Sequence, residues 1–320
     1  MLSPSSSISP VEKTRKIVLL GSAGSGKTSL KNIVFSDYSP DSCVGSPPTH
    51  DVDQHHVKYL GSLMLHIWDC GGQTGYMEDR LNSQRTHFFG RIDVLVYVFE
   101  VESAEWEKDL CMFRKCVEAL YEEAPEAKIV VMVNKMDLVE ETIRDETFEE
   151  KRKAINAYAE IRTRRGPINV VFDVIGTTIW NCSVYNAWSR CMELIVPKAP
   201  RIEEMLRKMG EIIEAREVTL FEKQSLLKIH HIEIEPQRDD SILEKTTQAL
   251  KSFKNDLLKK AAGEAHTKHI FIGDSSVHIA DFTENIIILI NLKNETLSIP
   301  VLTFNIQYLQ KRIADLDCNG

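Results

Sequence analysis

The sequence has little of what marks membrane, secreted or disordered proteins. Its longest uncharged apolar run, Ile286 to Leu292, is far shorter than the about 20 residues that cross a bilayer, so no membrane helix is expected. Glycine and proline number only 15 and 11 in 320 residues, which excludes collagen-like and low-complexity chains. The N-terminal segment MLSPSSSISP lacks the apolar centre of a signal peptide.

Cysteine pairing and lipid attachment are also not expected. The seven cysteines are odd in number and contain no CxxC pair, which is typical of reduced thiols in a cytosolic protein. Leu2 stands where myristoylation needs glycine, and Cys318 is third from the end rather than fourth, as prenylation needs. We therefore expect a cytoplasmic chain without direct membrane insertion. If the chain works at a membrane, a partner must hold it there.

Positive charge is in deficit. The chain has 39 basic against 47 acidic residues and a net charge of −8, the wrong sign for whole-surface attraction to nucleic acid. Hydrophobic residues make up 43% and charged residues 27%, an ordinary globular composition. At about 150 residues per domain, the length predicts two domains.

The pattern of elements changes once along the chain. Residues 1–15 are expected to form a flexible tail. From Lys16, β-branched runs alternate with helical segments as far as VVFDVIG, which predicts an α/β domain with a mainly parallel sheet over 16–197. After Pro197 the order becomes αββαβββα, an α+β domain over 198–320. Its predicted elements are a helix at 201–216, strands in EVTLFE and SLLKIHHIEI, a helix at 241–261, strands near 269–273, 276–282 and 286–292, and a helix from about 305 to 316.

The first motif is a phosphate loop. Residues 21–28, GSAGSGKT, match G-x-x-x-x-G-K-[ST] between a predicted strand and a predicted helix. In such a loop backbone N–H groups surround phosphate oxygens, Lys27 reaches the β and γ phosphates, and the Thr28 hydroxyl binds Mg²⁺. The predicted nucleotide-binding residues are Ala23, Gly24, Ser25, Gly26, Lys27, Thr28 and Ser29.

The second motif, N-K-x-D, selects the base. Asn134, Lys135 and Asp137 follow the apolar run IVVMV. The Asp137 carboxylate accepts hydrogen bonds from guanine N1–H and its amine, whereas adenine presents an acceptor there. Asn134 and Lys135 would hold the loop and cover the base. The alternative, a helix-capping Asn beside surface charges, is disfavoured behind a phosphate loop.

The third motif, DCGGQ, ends the run LMLHIW. Asp69 is expected to hold Mg²⁺ through water, Gly72 to donate its N–H to the γ phosphate, and Gln73 to orient the attacking water. Thr49, in SPPTHDVD, is the candidate switch threonine that binds Mg²⁺ and the γ phosphate, and its alternative is an ordinary loop threonine. Since no arginine is placed as an internal finger, slow intrinsic hydrolysis is expected.

Two histidine pairs, His55-His56 and His230-His231, lie in predicted strands. Neighbouring side chains on a strand point to opposite faces, so neither pair can chelate one metal. We interpret them as structural histidines.

The residues of these motifs and their neighbours resemble those of the Rag GTPases, and within that family those of the RagA/RagB (Gtr-type) branch. The segments HVKYLGSLMLHIWDCGGQTGYME, SQRTHFFGRIDVLVYVFEVES and NKMDLVEE are similar to that branch. The segment IIEAREVTLFEKQSLLKIHH and the elements after it resemble the family's roadblock-type C-terminal domain. The resemblance covers about residues 16–316.

The resemblance implies a Ras-like GTPase that binds GTP or GDP with Mg²⁺ and hydrolyses GTP slowly. It implies a heterodimer with a RagC/RagD-type GTPase, a place on the lysosome or vacuole surface through a Ragulator-like scaffold, and recruitment of TOR complex 1 when amino acids are plentiful. GAP and exchange factors would act on it. The roles above carry over to Lys27, Thr28, Thr49, Gln73 and Asp137, and the segment GTTIW would place Thr178 and Ile179 against the guanine.

Three positions depart from the family pattern. Asn134 replaces the branch's usual His, and Ala23 replaces a Ser of the loop, where its methyl group would crowd an arginine from a GAP. His50 replaces the usual Ile after Thr49, behind two prolines that stiffen the segment. Two alternatives therefore stay open: a GTP-locked scaffold subunit with little hydrolysis, and a Ras-, Rab- or Arf-like trafficking GTPase with an unrelated C-terminal extension.

Overall fold

The computed structural model of the chain describes residues 13–49, 51–59, 63–158, 160–163, 166–196, 200–235, 240–259, 267–272, 275–292 and 298–318. Most of the predicted flexible tail, residues 1–12, and His50 lie outside this description. By its packing the chain divides into two compact units, Met1–Lys31 with Asp41–Thr177 and Asn32–Pro40 with Thr178–Gly320.

The elements up to residue 176 alternate between strands and helices, as the sequence predicts. In chain order they are β1 (Lys13–Leu20), α1 (Lys27–Phe35), α2 (Pro40–Cys43), β2 (Val52–Lys58), β3 (Leu63–Cys70), α3 (Thr74–Asn82), α4 (Arg85–Phe89), β4 (Val94–Glu100), α5 (Trp106–Glu123), β5 (Lys128–Asn134), α6 (Arg144–Asn156), β6 (Glu160–Thr163), β7 (Gly166–Asn169) and β8 (Asp173–Gly176).

Six of these strands form the sheet of the first unit. Among the described residues its order is β2-β3-β1-β4-β5-β8, with only the β2–β3 pair antiparallel, which confirms the mainly parallel sheet. Strands β4 and β5 are buried almost throughout, because the runs VLVYVFE and KIVVMVN are apolar on both faces, as suits central strands covered on two sides. Parallel strands bring their carboxyl ends to one edge, where ligands bind in such sheets. The three predicted motifs follow β1, β3 and β5 at that edge.

The elements from residue 183 onward are α7 (Ser183–Ile195), α8 (Pro200–Ile212), β9 (Ala215–Glu222), β10 (Lys228–Glu233), α9 (Asp240–Lys259), β11 (Thr267–Ile272), β12 (Ser275–Thr283), β13 (Ile286–Leu292) and α10 (Ile299–Cys318). From α8 onward the predicted order αββαβββα is confirmed. Among the described residues the five strands form an antiparallel sheet in the order β10-β9-β13-β12-β11. Helices α8 and α10 pack on one face and α9 on the other, so this sheet has two apolar cores.

Two predicted helices were wrong in their limits, and one hairpin was not predicted. The helix predicted at 201–216 ends at Ile212, because Glu214 turns with a φ of 53° and β9 begins at Ala215, which pairs with β13. The last helix begins at Ile299 instead of 305, since Pro300 fits a first helical turn, where its missing N–H is not needed. The β6–β7 hairpin was not predicted, and its strands have only four residues each.

Within the described segments, no helix combines the length and apolarity that a membrane crossing requires. Six cysteines are free thiols in the structure: Cys43, Cys70, Cys111, Cys116, Cys182 and Cys191.

Candidate nucleotide-binding site

The phosphate loop connects β1 to α1 and depends on glycine at Gly26. This residue has a φ of 91°, and a Cβ added there would lie 2.3 Å from Asn134 Nδ2. An alanine would therefore be strained and would collide with the side chain of the N-K-x-D motif. Along the loop, Ala23 and Gly24 are exposed, Ser25 is buried, and Ser29 lies in the first turn of α1.

Lys27 is folded back into the loop. Its Nζ donates to the carbonyl oxygens of Gly21 and Ser22, each at 2.8 Å, and only 5% of the residue is exposed. Burial lowers the pKa of Lys27 to about 8, and the Asp69 carboxylate opposes that shift. An anionic phosphate beside this amine would favour its charged form.

Three oxygen-bearing side chains meet next to Lys27. The hydroxyl oxygens of Thr28 and Thr49 are 2.9 Å apart, although 21 residues separate them. Asp69 is fully buried, and neither carboxylate oxygen has a hydrogen-bond partner among the described residues. Burial raises the pKa of Asp69, while the Thr28 hydroxyl, Lys31 and Lys27 oppose the rise. A buried carboxylate that accepts no hydrogen bond from the described residues, beside two hydroxyls, is the type of oxygen donor set that Mg²⁺ prefers.

The DCGGQ segment touches both the phosphate loop and the switch threonine. The Ala23 N–H donates to the Gly72 carbonyl oxygen at 3.1 Å, and a Cβ on Gly72 would lie 2.3 Å from the Ala23 nitrogen. Gln73 Nε2 donates to the Thr49 carbonyl oxygen at 3.1 Å, and Gln73 Oε1 is buried without a partner among the described residues. The structure therefore brings Thr49, Gly72 and Gln73 to the loop.

Asn134 connects the base loop to the phosphate loop. It is 1% exposed, donates from Nδ2 to the Ser25 carbonyl oxygen at 2.8 Å, and accepts from the Thr177 hydroxyl at 3.1 Å. Lys135 takes a left-handed φ of 63°, and its Nζ is 2.9 Å from Glu100 Oε1. Asp137 is exposed in a short 3₁₀ turn over 136–138.

The two residues predicted to lie against the base follow Thr177. The Thr178 N–H donates to the Ser183 hydroxyl at 2.9 Å, and the Thr178 hydroxyl accepts from the Trp180 N–H at 3.3 Å. Ile179 is half-buried. These local contacts fix the backbone of the segment, and the contact with guanine stays a prediction.

Sequence reasoning missed three side chains that shape the site. Asp109, on α5, accepts from the Ser22 hydroxyl of the loop and, at 2.7 Å, from the Ser103 hydroxyl. Lys31 is buried between Asp53 and Asp69, at 3.6 Å from Asp69 Oδ2. Thr177 anchors Asn134. These residues carry no local motif, because their partners, apart from Ser103, are 22 to 87 positions away in the chain.

The histidine pairs behave as alternation on a strand requires. His231 Nδ1 contacts the Thr219 hydroxyl at 2.8 Å, whereas His230 Nδ1 lies 3.6 Å from Glu203. No group of three or more His, Cys, Asp or Glu side chains suited to a metal occurs in the described part of the chain.

Comparison with known proteins identifies the family. Residues 16–250 match the family model described as the Gtr1/RagA G protein conserved region. The chain is 37% identical over 301 residues to the "GTP-binding protein gtr1" of Schizosaccharomyces pombe, covering 93% of this chain and 95% of that protein. It is 35% identical over 295 residues to the "Ras-related GTP-binding protein A" of Dictyostelium discoideum, covering 92% and 94%. A more distant match, 23% over 195 residues, is the "GTP-binding protein gtr2" of S. pombe, covering 61% and 59%.

The match extends through both units and includes the phosphate loop, the DCGGQ segment and the N-K-x-D segment. The chain belongs to the Gtr1/RagA family of GTP-binding proteins.

Proposed function

We propose that this chain is a guanine-nucleotide switch that hydrolyses GTP slowly and acts as the RagA-type subunit of a Rag heterodimer. The observation that carries the proposal is the meeting of Thr28, Thr49 and Gln73 through the 2.9 Å and 3.1 Å contacts. A γ phosphate placed between the phosphate loop and these residues would hold the two switch segments, one around Thr49 and the other around Gly72 and Gln73. Loss of that phosphate would release them, which is how such switches change shape.

The donor set supports Mg²⁺ beside the phosphates. Thr28 and Thr49 would be ligands through their hydroxyls, and Asp69 would bind through water. When bound, the ion neutralises charge that develops on the transferred phosphoryl group. Such an ion would stabilise Asp69, because its buried carboxylate oxygens accept no hydrogen bond from the described residues and Lys31, at 3.6 Å, is its ion-pair partner among them.

In the hydrolytic step, Gln73 would orient the attacking water. Its buried, unpartnered Oε1 is an acceptor for a water proton, while Nε2 is held by the Thr49 carbonyl oxygen. Lys27 would leave the carbonyls of Gly21 and Ser22 to contact the β and γ phosphates. Asp137 would accept the guanine hydrogen bonds, and Thr178 and Ile179 are predicted to lie against the guanine.

One feature favours the GTP-locked scaffold as a second candidate. Ala23 is exposed in the phosphate loop and places a methyl group where an incoming arginine would approach. Single-turnover hydrolysis with and without a GAP separates the two candidates. The trafficking alternative loses its basis, because the similarity to gtr1 covers 93% of the chain.

The partner assignment comes from the family. The chain matches both an A-type branch and, more weakly, gtr2, so a RagC/RagD-type GTPase is the proposed dimer partner. We assign residues 16–197 to the GTPase domain and 198–320 to a roadblock-type dimerisation domain. A Ragulator-like scaffold would hold the dimer on the lysosome or vacuole, where it would recruit TOR complex 1, and GAP and exchange factors would set its nucleotide state.

The decisive experiment measures binding of fluorescent GDP and GTP to the purified chain, alone and with a RagC/RagD-type partner. Mg²⁺-dependent submicromolar binding that excess ATP does not displace, together with a one-to-one complex, is the expected result. Asp137→Asn serves as the variant that should lose guanine selectivity while keeping the phosphate loop intact. Equal competition by ATP would contradict the guanine assignment, and a chain that ignores the partner would contradict the dimer.

A further inference from the structure

Strand pairing brings together two histidines that the sequence separates. His56 on β2 and His66 on β3 are direct partners in the antiparallel register, so their side chains project from the same face of the sheet. Their ring centres are 4.2 Å apart, with the ring planes at 89°. His55, the neighbour of His56, projects from the opposite face.

The ring nitrogens of this pair are available to a ligand. Neither ring has a hydrogen bond or ion pair with any described residue. His56 is exposed and His66 is half-buried, so solvent ions reach the pair from the His56 side. Burial and the neighbouring His56 lower the pKa of His66, which keeps its imidazole neutral, the form that binds metals.

The spacing matches two imidazoles on one metal ion. Metal–N bonds of about 2.0–2.1 Å place each ring centre about 3.2 Å from the ion. The right angle of square-planar or octahedral coordination, as in Cu²⁺ and Ni²⁺ sites, then separates the centres by about 4.5 Å, and the tetrahedral angle of Zn²⁺ by about 5.2 Å. The observed 4.2 Å is nearest to the right-angle value, and rotation of the exposed His56 ring would turn a nitrogen of each ring toward one ion.

We propose that His56 and His66 bind one borderline transition-metal ion of the Zn²⁺, Ni²⁺ or Cu²⁺ class, with water completing its coordination. Imidazole favours these ions, whereas Mg²⁺ prefers oxygen, so this site is chemically separate from the nucleotide site. The bound ion joins β2, which follows the Thr49 segment, to β3, which carries Asp69 near its end. It therefore fastens the two strands that lie between the proposed switch segments.

The test is calorimetric titration of the tag-free full-length chain with Zn²⁺, in parallel with His56→Ala, His66→Ala and His55→Ala. Every protein in this series also carries Cys111→Ser, because the exposed Cys111 thiol could itself bind Zn²⁺. One ion per chain is expected, with binding weakened at least about tenfold in His56→Ala and His66→Ala. The matched control His55→Ala should stay within about twofold. Cu²⁺ spin resonance should show two coordinated nitrogens, falling to one in either pair variant.

Zn²⁺ should also raise the melting temperature of the parent and of His55→Ala, but not of the pair variants. Absence of binding, or binding that His56→Ala and His66→Ala leave unchanged, overturns the proposal and leaves ring packing as the role of the pair. Equal weakening by all three substitutions overturns it as well. These readouts do not require nucleotide, so the result is independent of the proposed GTPase function.

Discussion

Raising the pH should weaken nucleotide binding through Lys27. In the free chain burial lowers the pKa of Lys27 to about 8. In the complex, phosphate anions beside the amine should hold its pKa near or above the ordinary value of about 10.4. Only the protonated amine binds phosphate well, so the dissociation constant should grow by a factor of about 1 + 10^(pH − 8). Between about pH 7 and pH 9 this is roughly tenfold, or about 1.4 kcal/mol.

Folding stability should change in the opposite direction. The folded pKa lies below the unfolded value, so between about pH 8 and pH 10 the unfolded chain carries more of the Lys27 proton. Stability linked to Lys27 therefore rises with pH across that window and is lowest below it, where the charged amine is buried. A general alkaline loss of structure would lower nucleotide affinity and folding stability together. Titration of Lys27 should instead lower the affinity while the stability rises.

The assay is a fluorescent GDP titration at constant Mg²⁺, in steps of about half a pH unit up to about pH 9. Calorimetry in buffers of different ionisation enthalpy should show uptake of about half a proton on binding at about pH 8. Lys27→Arg stays charged and should bind with a flat profile. The matched control is Lys16→Arg: burial also lowers the pKa of Lys16 to about 8, but its Nζ donates to the Phe88 carbonyl oxygen at 2.8 Å.

The reasoning would be refuted by a wild-type profile that is flat from about pH 7 to pH 9, or by a slope that disappears in Lys16→Arg. The first result would mean that the amine is already charged in the free chain. The second would assign the titration to Lys16 on β1.

Three further predictions test other parts of the structure. Gly26→Ala should lower nucleotide affinity at least about 100-fold in an equilibrium titration, because its Cβ would meet Asn134 Nδ2 at 2.3 Å. The matched control is Gly45→Ala, which should bind nucleotide normally, because Gly45 also has a positive φ but has open space around the added Cβ. Gln73→Leu should hold the GTP form, with single-turnover hydrolysis slowed at least about tenfold and GDP affinity unchanged; normal turnover would remove Gln73 from the mechanism. His278 is fully buried, both of its ring nitrogens are unpartnered among the described residues, and burial lowers its pKa to about 4. Because the unfolded chain takes up a proton on this imidazole before the folded chain does, folding stability should fall by about 2 kcal/mol from about pH 7 to pH 5. Urea unfolding of His278→Phe should show that loss removed, and an unchanged loss would assign it to other groups.

Much of the candidate site could be predicted because its parts are local. A phosphate loop needs glycines and a lysine at fixed spacing between a strand and a helix, so Lys27 and Thr28 are recognisable from eight consecutive residues. The motifs at Asp69 and Asn134 each follow a buried apolar strand, and parallel strands carry such ends to one edge. Helix and strand limits were less predictable, since the end of α8 at Ile212 depends on the pairing of Ala215 with Leu292.

Local pattern alone thus determined the fold class, the order of the elements apart from the β6–β7 hairpin, and the positions of the three motifs in the chain. Tertiary structure decided which distant side chains join them. Asp109 reaches the loop from α5, Lys31 lies between Asp53 and Asp69, and His66 becomes the neighbour of His56 rather than His55. The physical reason is that register and helix docking are set by the burial of whole apolar faces, which the residues around any one position do not specify.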